Sequence, residues 1–301
     1  MTPCLLSHIK GLKGIKQNKI AVLKMEDKLF AYQSRMGGYV RLSNEHVSTL
    51  KNIKTYGFDV STMTVLVMTE SPMQDKIDLE KFVSFFDDPS VASMIEVSGR
   101  PLHAKPLAPR TTRTGKVRQT FYNQVSVWFR DDVSKKNIKV FRNGNLHITG
   151  EKSLARNIEI ADEICTILGI LFRCERYAVD FDVQMINTNF RLNVGLVLGS
   201  MRDIVSRVPS VVKASYEPET YPGLNCKYRT SSGRDTSLLI FNSGNVIITG
   251  IKDFKEFYEA YVMITGVIDD HVQAVKRQSF VPPDSSKTRS MPMDARDFSV
   301  L

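Results

Sequence analysis

The sequence predicts an α+β fold built from a duplicated unit, with antiparallel strands in a sheet and helices gathered on one face. Three observations carry this. "FRNGNLHITG" at Phe141–Gly150 returns as "FNSGNVIITG" at Phe241–Gly250, with six of ten positions identical and an offset of 100 residues. A fixed internal period marks a duplicated supersecondary unit. Each copy runs into a stretch with helical periodicity, and each is preceded by short runs that read as strands.

The elements follow in order. Residues 1–56 hold ten Lys/Arg against three acids and read as a basic extension, in which "KIAVLKMEDKLFAY" could form a small hairpin. "VSTMTVLVM" (Val60–Met68) opens the first repeat, which spans 57–175, and a helix is expected near Asp78–Phe86. A basic insert at 98–120 holds six Lys/Arg and no acid. "QVSVWFR" and "NIKVF" then lead to the repeated turn. Beyond the turn, Leu154, Ile158, Ala161, Ile164, Cys165 and Leu168 recur at helical spacing, with Ser153 placed as N-cap. The second repeat, 176–277, opens with "DFDVQMINTNFRL" (Asp180–Leu192) and a helix near Val194–Val205. "LNCKYRT" and "SLLIF" lead to its turn, and Asp253 with Glu256 forms a capping box for the last helix. Residues 278–301, rich in Pro, Ser and charge, lack the apolar periodicity to bury and are expected to be disordered.

Composition narrows the function classes. Of the net charge of +9, the arm and the insert supply +13, leaving −4 for the rest, so the basicity is concentrated where a polyanion could be held. No apolar run approaches the roughly 18 residues that cross a bilayer. The N-terminus shows no signal-peptide pattern, and the four cysteines include no CxxC pair. Asp182, Asp235 and His271 are not framed by a nucleophile motif such as GxSxG, so no catalysis is expected. Cofactor, metal, membrane and small-molecule substrate are all expected to be absent.

Alternation assigns faces. Val140, Leu146 and Ile148, with Ile240, Val246 and Ile248, share the face that helices can cover. Phe141, His147 and Thr149, with Phe241, Ile247 and Thr249, share the opposite face, where no element is evident to cover them. An apolar face left open in this way marks a binding surface.

These residues resemble the TATA-box-binding protein family. "ASYEPETYPGL" (Ala214–Leu224), "LLIFNSGNVIITGIK" and "EFYEAY" carry the resemblance in the second half. "VSTMTVL" and "KVFRNGNLHITGEK" carry it in the first. It covers about residues 58–268. The resemblance implies a saddle: a curved antiparallel sheet of about ten strands, helices on the convex back, and a concave side on the DNA minor groove. It also implies aromatic wedges that kink the duplex. Carried over by position, Phe141 and Phe241 are strand-end wedges and Phe121 and Tyr221 their partners. Thr64, Met185, Thr149, Thr249, His147 and Ile247 form the groove-facing floor. Lys152, Lys252 and Lys227, with Arg110, Arg113, Lys116 and Arg118 of the insert, meet phosphates. Glu217 and Glu219 dock a TFIIB-like factor.

There are departures from the family pattern. Thr64 and Met185 stand in the place of the family's central asparagines, although a shift of register would bring Asn187 into play. Asn145 and Asn245 stand where a phosphate-neutralising lysine would follow the turn. The partners implied are AT-rich double-stranded DNA, a TFIIB-like factor and RNA polymerase, in the nucleus or in a viral factory or virion. The alternative is a protein-interaction scaffold that keeps the fold and has lost specific DNA binding.

Overall fold

The computed structural model describes residues 15–71, 76–85, 102–103, 123–130 and 135–278. The chain divides into two compact units, one of Met1–Leu29 with Thr62–Gln184 and the other of Phe30–Ser61 with Met185–Leu301.

In the first unit five strands are β1 (Thr55–Glu70, its second part), β2 (Leu102–His103), β3 (Gln124–Arg130), β4 (Lys135–Phe141) and β5 (Leu146–Glu151). They lie in the order β2-β3-β4-β5-β1. The second unit has β6 (Tyr177–Leu192, its second part), β7 (Val211–Ser215), β8 (Leu224–Arg229), β9 (Asp235–Ile240) and β10 (Asn245–Ile251), in the order β6-β10-β9-β8-β7. Every pairing described within these two sets is antiparallel. Each unit therefore has the antiparallel α+β architecture expected from the repeat.

The alternation in the strands decides what is buried. Val65, Val67, Ile138, Val140, Leu146 and Ile148 are wholly buried in the first unit, and Leu238, Ile240, Val246 and Ile248 in the second. Helix α3 (Leu154–Phe172) lies against β5, and α5 (Phe254–Asp270) against β9 and β10. Their buried stripes, Leu154, Ile158, Ala161, Ile164 and Leu168 in one and Phe254, Phe257, Tyr261, Ile264 and Ile268 in the other, recur every three or four residues. Removing such side chains from water is the main source of stability.

The caps hold as expected, with one adjustment. Ser153 Oγ accepts from the Arg156 amide at 3.4 Å and Asp253 Oδ1 from the Lys255 amide at 2.9 Å. Glu256 Oε2 accepts at 2.8 Å from the amide of Lys252, one residue before the N-cap, so its reach goes past the position a capping box would use. The first short helix, α2 (Leu79–Ser84), starts at an Asp78 cap whose side chain accepts from Glu80 and Lys81 amides. Helix α4 (Leu198–Val205) is shorter than the stretch from Val194 that the sequence suggested. Leu196 instead bridges to Lys276, just beyond α6 (Val272–Val275), and Val197 has no side chain with which to cap.

The hairpin expected in "KIAVLKMEDKLFAY" is replaced by a helix, α1 (Ile15–Val47). Met25, Tyr32, Met36 and Val40 are buried at helical spacing, with Ser43 continuing the stripe. The charged residues between them are good helix formers, and the apolar alternation is too short to override that. In the second unit, Tyr39 packs against Tyr258 with ring centroids 6.0 Å apart, and His46 Nε2 is 2.9 Å from Thr265 Oγ1. The chain leaving α1 is pinned by Asp269 of α5. Its carboxylate accepts from the amides of Lys51, Asn52 and Ile53 at 3.0, 2.7 and 2.9 Å. Burial pushes the Asp269 pKa up, but the three amide donors and Lys51 outweigh it and hold the carboxyl below its usual range.

Candidate nucleic-acid interface

The repeated turns come first because they aim the aromatic side chains. The Gly144 amide donates to the Phe141 carbonyl at 2.8 Å, and the Phe141 amide to the Asn145 carbonyl at 3.0 Å. The corresponding bonds of Gly244, Phe241 and Asn245 are 3.0 and 2.9 Å. Gly144 and Gly244 have φ of +85° and +79°, the left-handed backbone that closes a three-residue hairpin loop. Phe141 and Phe241 thus occupy the same place before the same turn, half-buried on the face away from α3 and α5.

Asn145 and Asn245 have work at these turns. Asn145 Oδ1 accepts from the Thr69 amide at 3.2 Å, and Asn245 Oδ1 from Arg191 Nε at 2.6 Å. Each ties its turn to the neighbouring long strand, a role that sequence reasoning missed. The signal available was the repeat itself, which keeps an asparagine at this position in both copies.

In the second unit the structure brings the expected wedge pair together. The rings of Tyr221 and Phe241 meet edge to face with centroids 6.1 Å apart, and Tyr221 is 39% exposed. A Cβ on Gly223 would lie 2.9 Å from Tyr221 Cε1 and 3.0 Å from Phe241 Cε1, so only glycine lets the chain pass this close to both rings. The loop between β7 and β8 is closed by amides of Thr220 and Tyr221 donating to the Glu217 carbonyl, both at 2.9 Å. Glu217 and Glu219 are exposed on that loop, and Ser215 Oγ donates to Glu217 Oε1 at 3.2 Å. Phe121, and Arg110, Arg113, Lys116 and Arg118 of the insert, lie outside the described residues.

The strand registers lay out the open face of each unit in rows. In the first unit one row runs Leu66–His147–Lys139–Ser126, and the next runs Thr64–Thr149–Asn137–Trp128. In the second, Asn189–Ile247–Leu239–Asn225 is the first row. The next holds Thr249, Ser237, Lys227 and Lys213. Thr64 Oγ1 lies 3.4 Å from Thr149 Oγ1, while Thr249 Oγ1 donates to Asn187 Oδ1. The counterpart of Thr64 is therefore Asn187, not Met185. Met185 sits two residues further along the same face, half-exposed. The register of β10 on β6, with Ile247 opposite Asn189 and Ile248 opposite Thr188, decides this, as Leu66 opposite His147 and Val65 opposite Ile148 do in the first unit.

Charge on these faces is unequal. Lys227 and Lys213 face one another across the β7–β8 pairing, both exposed. Like charges directly opposed destabilise a sheet, and a bound anion would relieve them. Lys152 is exposed and Lys252 half-exposed, each just after a Thr-Gly pair. Over Trp128, Lys135 Nζ lies 4.3 Å from the ring centre. His147 is half-exposed, and its Nδ1 atom is buried without a hydrogen-bond partner among the described residues. Burial and then the charge of Lys139 hold its pKa below the ordinary imidazole value, so the ring is neutral at pH 7. Sequence reasoning missed Lys139, Trp128, Asn189 and Lys213, although parity with Phe141 along β4 points to Lys139 and parity with Met185 along β6 points to Asn189. Among the described residues, no three His, Cys, Asp or Glu side chains converge to hold a metal, and no helix is long and apolar enough to cross a membrane.

Residues 180–271 match the family model "Transcription factor TFIID (or TATA-binding protein, TBP)". Over 262 residues the chain is 23% identical to a TATA-box-binding protein-like protein of Acanthamoeba polyphaga mimivirus, covering 77% of this chain and 70% of that one. It is 33% identical over 131 residues to the TATA-box-binding protein of Methanococcus vannielii, covering 44% of this chain and 67% of that protein. Among solved structures, the TBP of Methanococcus jannaschii aligns with 71% of this chain and 99% of its own, at 24% identity and a TM-score of 0.45.

Proposed function

The chain belongs to the TATA-box-binding protein family, and from that premise we propose that it is a transcription initiation factor that binds and bends promoter DNA through the minor groove. The observation that carries the proposal is the edge-to-face pair of Tyr221 and Phe241 held over Gly223. It stands at the end of an open face whose first row, Asn189, Ile247, Leu239 and Asn225, carries no charge. A minor-groove floor of A·T pairs offers only acceptors, so such a surface suits it. Aromatic rings at the end of that surface would enter a base step and unstack it, most easily where pyrimidine–purine steps are soft. Phe141 and Phe121 would do the same for the first unit. Lys152, Lys252, Lys227 and the basic insert would hold phosphates and set the salt dependence. Glu217 and Glu219, exposed beside the wedge loop, would dock a TFIIB-like factor and so bring in RNA polymerase. Transcription in the nucleus or in a viral factory fits this role.

One observation favours a second reading, a scaffold without specific DNA binding. Asn145 and Asn245 leave both turns without a lysine, and their side chains are already engaged. Titration of the full chain against AT-rich and GC-rich duplexes at two salt concentrations separates the two. Tighter binding to the AT-rich duplex that weakens steeply with salt supports the initiation factor. Failure to bind any duplex at low salt leaves the scaffold.

A further inference from the structure

Two of the positions at which the open faces differ lie side by side at the centre of matching rows, each pair related by the 100-residue period. Ile247 and Leu239 are opposite each other in the second unit, and His147 and Lys139 are opposite each other in the first. An apolar pair has thus become a pair with hydrogen-bonding groups at the centre of one floor. All four side chains are half-exposed on the side away from α3 and α5. His147 is flanked by Leu66 on β1, so Lys139 is the one charged group facing it from the paired strands.

Base-pair chemistry turns this difference into a difference in reading. In the minor groove A·T and T·A show only acceptors, and G·C adds the guanine N2 amino donor. An apolar pair packs against A·T and leaves that amino group desolvated and unpaired, which is costly. A neutral imidazole has one ring nitrogen free to accept, and an ammonium supplies donors for the N3 and O2 acceptors.

Resting on the DNA-binding reading above, we propose that His147 and Lys139 make the first unit selective for a G·C pair, while Ile247 and Leu239 confine the second to A·T. The His147 ring accepts from the guanine amino group, and Lys139 donates to the acceptors on either side. The preferred site is therefore asymmetric in base composition, and that asymmetry fixes which unit meets which half.

The test uses the full chain and a set of duplexes with an A·T core into which one G·C pair is walked position by position. A parallel set carries inosine·C, which lacks the amino group. The wild type should bind one G·C placement about fivefold or more tighter than the all-A·T core, the scale of a single well-made base contact. Inosine at that placement should remove the gain. The H147I/K139L variant, which copies the second unit, should lose the preference and bind that G·C placement no tighter than the all-A·T core. His147→Gln, which keeps an acceptor, should retain it. A wild type that binds DNA but finds no favoured G·C placement, or that accepts inosine as well as guanine, overturns this inference and leaves the DNA-binding reading standing. A wild type that binds no duplex overturns both.

Discussion

Replacing Asp269 with Asn tests how the chain between α1 and β1 is held. One carboxylate oxygen takes the amides of Asn52 and Ile53, and the other takes that of Lys51. Asn can keep an oxygen toward two of these donors, without the charge, and must turn an amino group toward the third. Hydrogen bonds to a charged acceptor contribute about 1.5–3 kcal/mol, and neutral ones about 0.5–1.5 kcal/mol. Losing the charge on two bonds, about 1 kcal/mol each, and the whole of a third, about 2 kcal/mol, therefore costs about 4 kcal/mol at neutral pH. The pH dependence follows from the sign of the shift. The folded carboxyl titrates below its ordinary value of 3.8, so its stabilisation is complete above that value and is lost as pH falls through the folded pKa. Urea unfolding of wild type and D269N at pH 7, and again well below 3.8, should show a gap that narrows with acid. No destabilisation at pH 7, or a gap that stays constant into acid, would refute the reasoning.

Other expectations rest on single features. Gly37 and Gly38 lie inside α1 with nothing within 4 Å of an added Cβ, so alanine at either should stabilise by about 0.5–1 kcal/mol, seen as a higher thermal midpoint. Burial, then Glu159 and Glu163, raise the Asp162 pKa from 3.8 to about 6. Asp162→Asn should therefore stabilise above pH 6 and lose that advantage as pH falls toward 3.8, measured by melting across the range. Exchanging Lys213 and Lys227 for Gln should weaken binding to all duplexes alike. It should flatten the slope of log affinity against log salt by about 0.9 for each phosphate that is no longer neutralised.

The sequence showed the repeat, the strand faces and both capped helices plainly, because each rests on a local period. The parity of Val140, Leu146 and Ile148 told which side the helices would cover, and all three are wholly buried. Phe241 and Tyr221 were legible as a pair because "SYEPETYPGL" fixes the loop that carries one and the turn fixes the other. The long helix α1 was not legible, since a stripe from Met25 to Ser43 spans a Gly-Gly pair that reads as a break. Asn187 was legible only as an alternative to Met185, because the pairing of β10 with β6, and not any spacing along one strand, decides between them. Asp269 gave no warning either, because its partners are backbone amides more than 200 residues away along the chain.

Bending of DNA by the aromatic side chains is the property on which the proposed function depends most directly. The measurement is the end-to-end energy transfer of a doubly labelled AT-rich duplex bound by wild type and by a Phe141→Ala/Phe241→Ala variant. Proteins that insert apolar wedges into the minor groove kink the duplex by about 20–90°, a range known to include this family. The wild type should bend the duplex within that range. The variant should stay bound and leave the duplex nearly straight, since Lys227, Lys213 and the basic insert still hold the phosphates while Tyr221 and Phe121, each without its partner ring, no longer make a complete wedge. A variant that bends the duplex as the wild type does would contradict the assignment of Phe141 and Phe241. A wild type that binds without bending would contradict the proposed function itself.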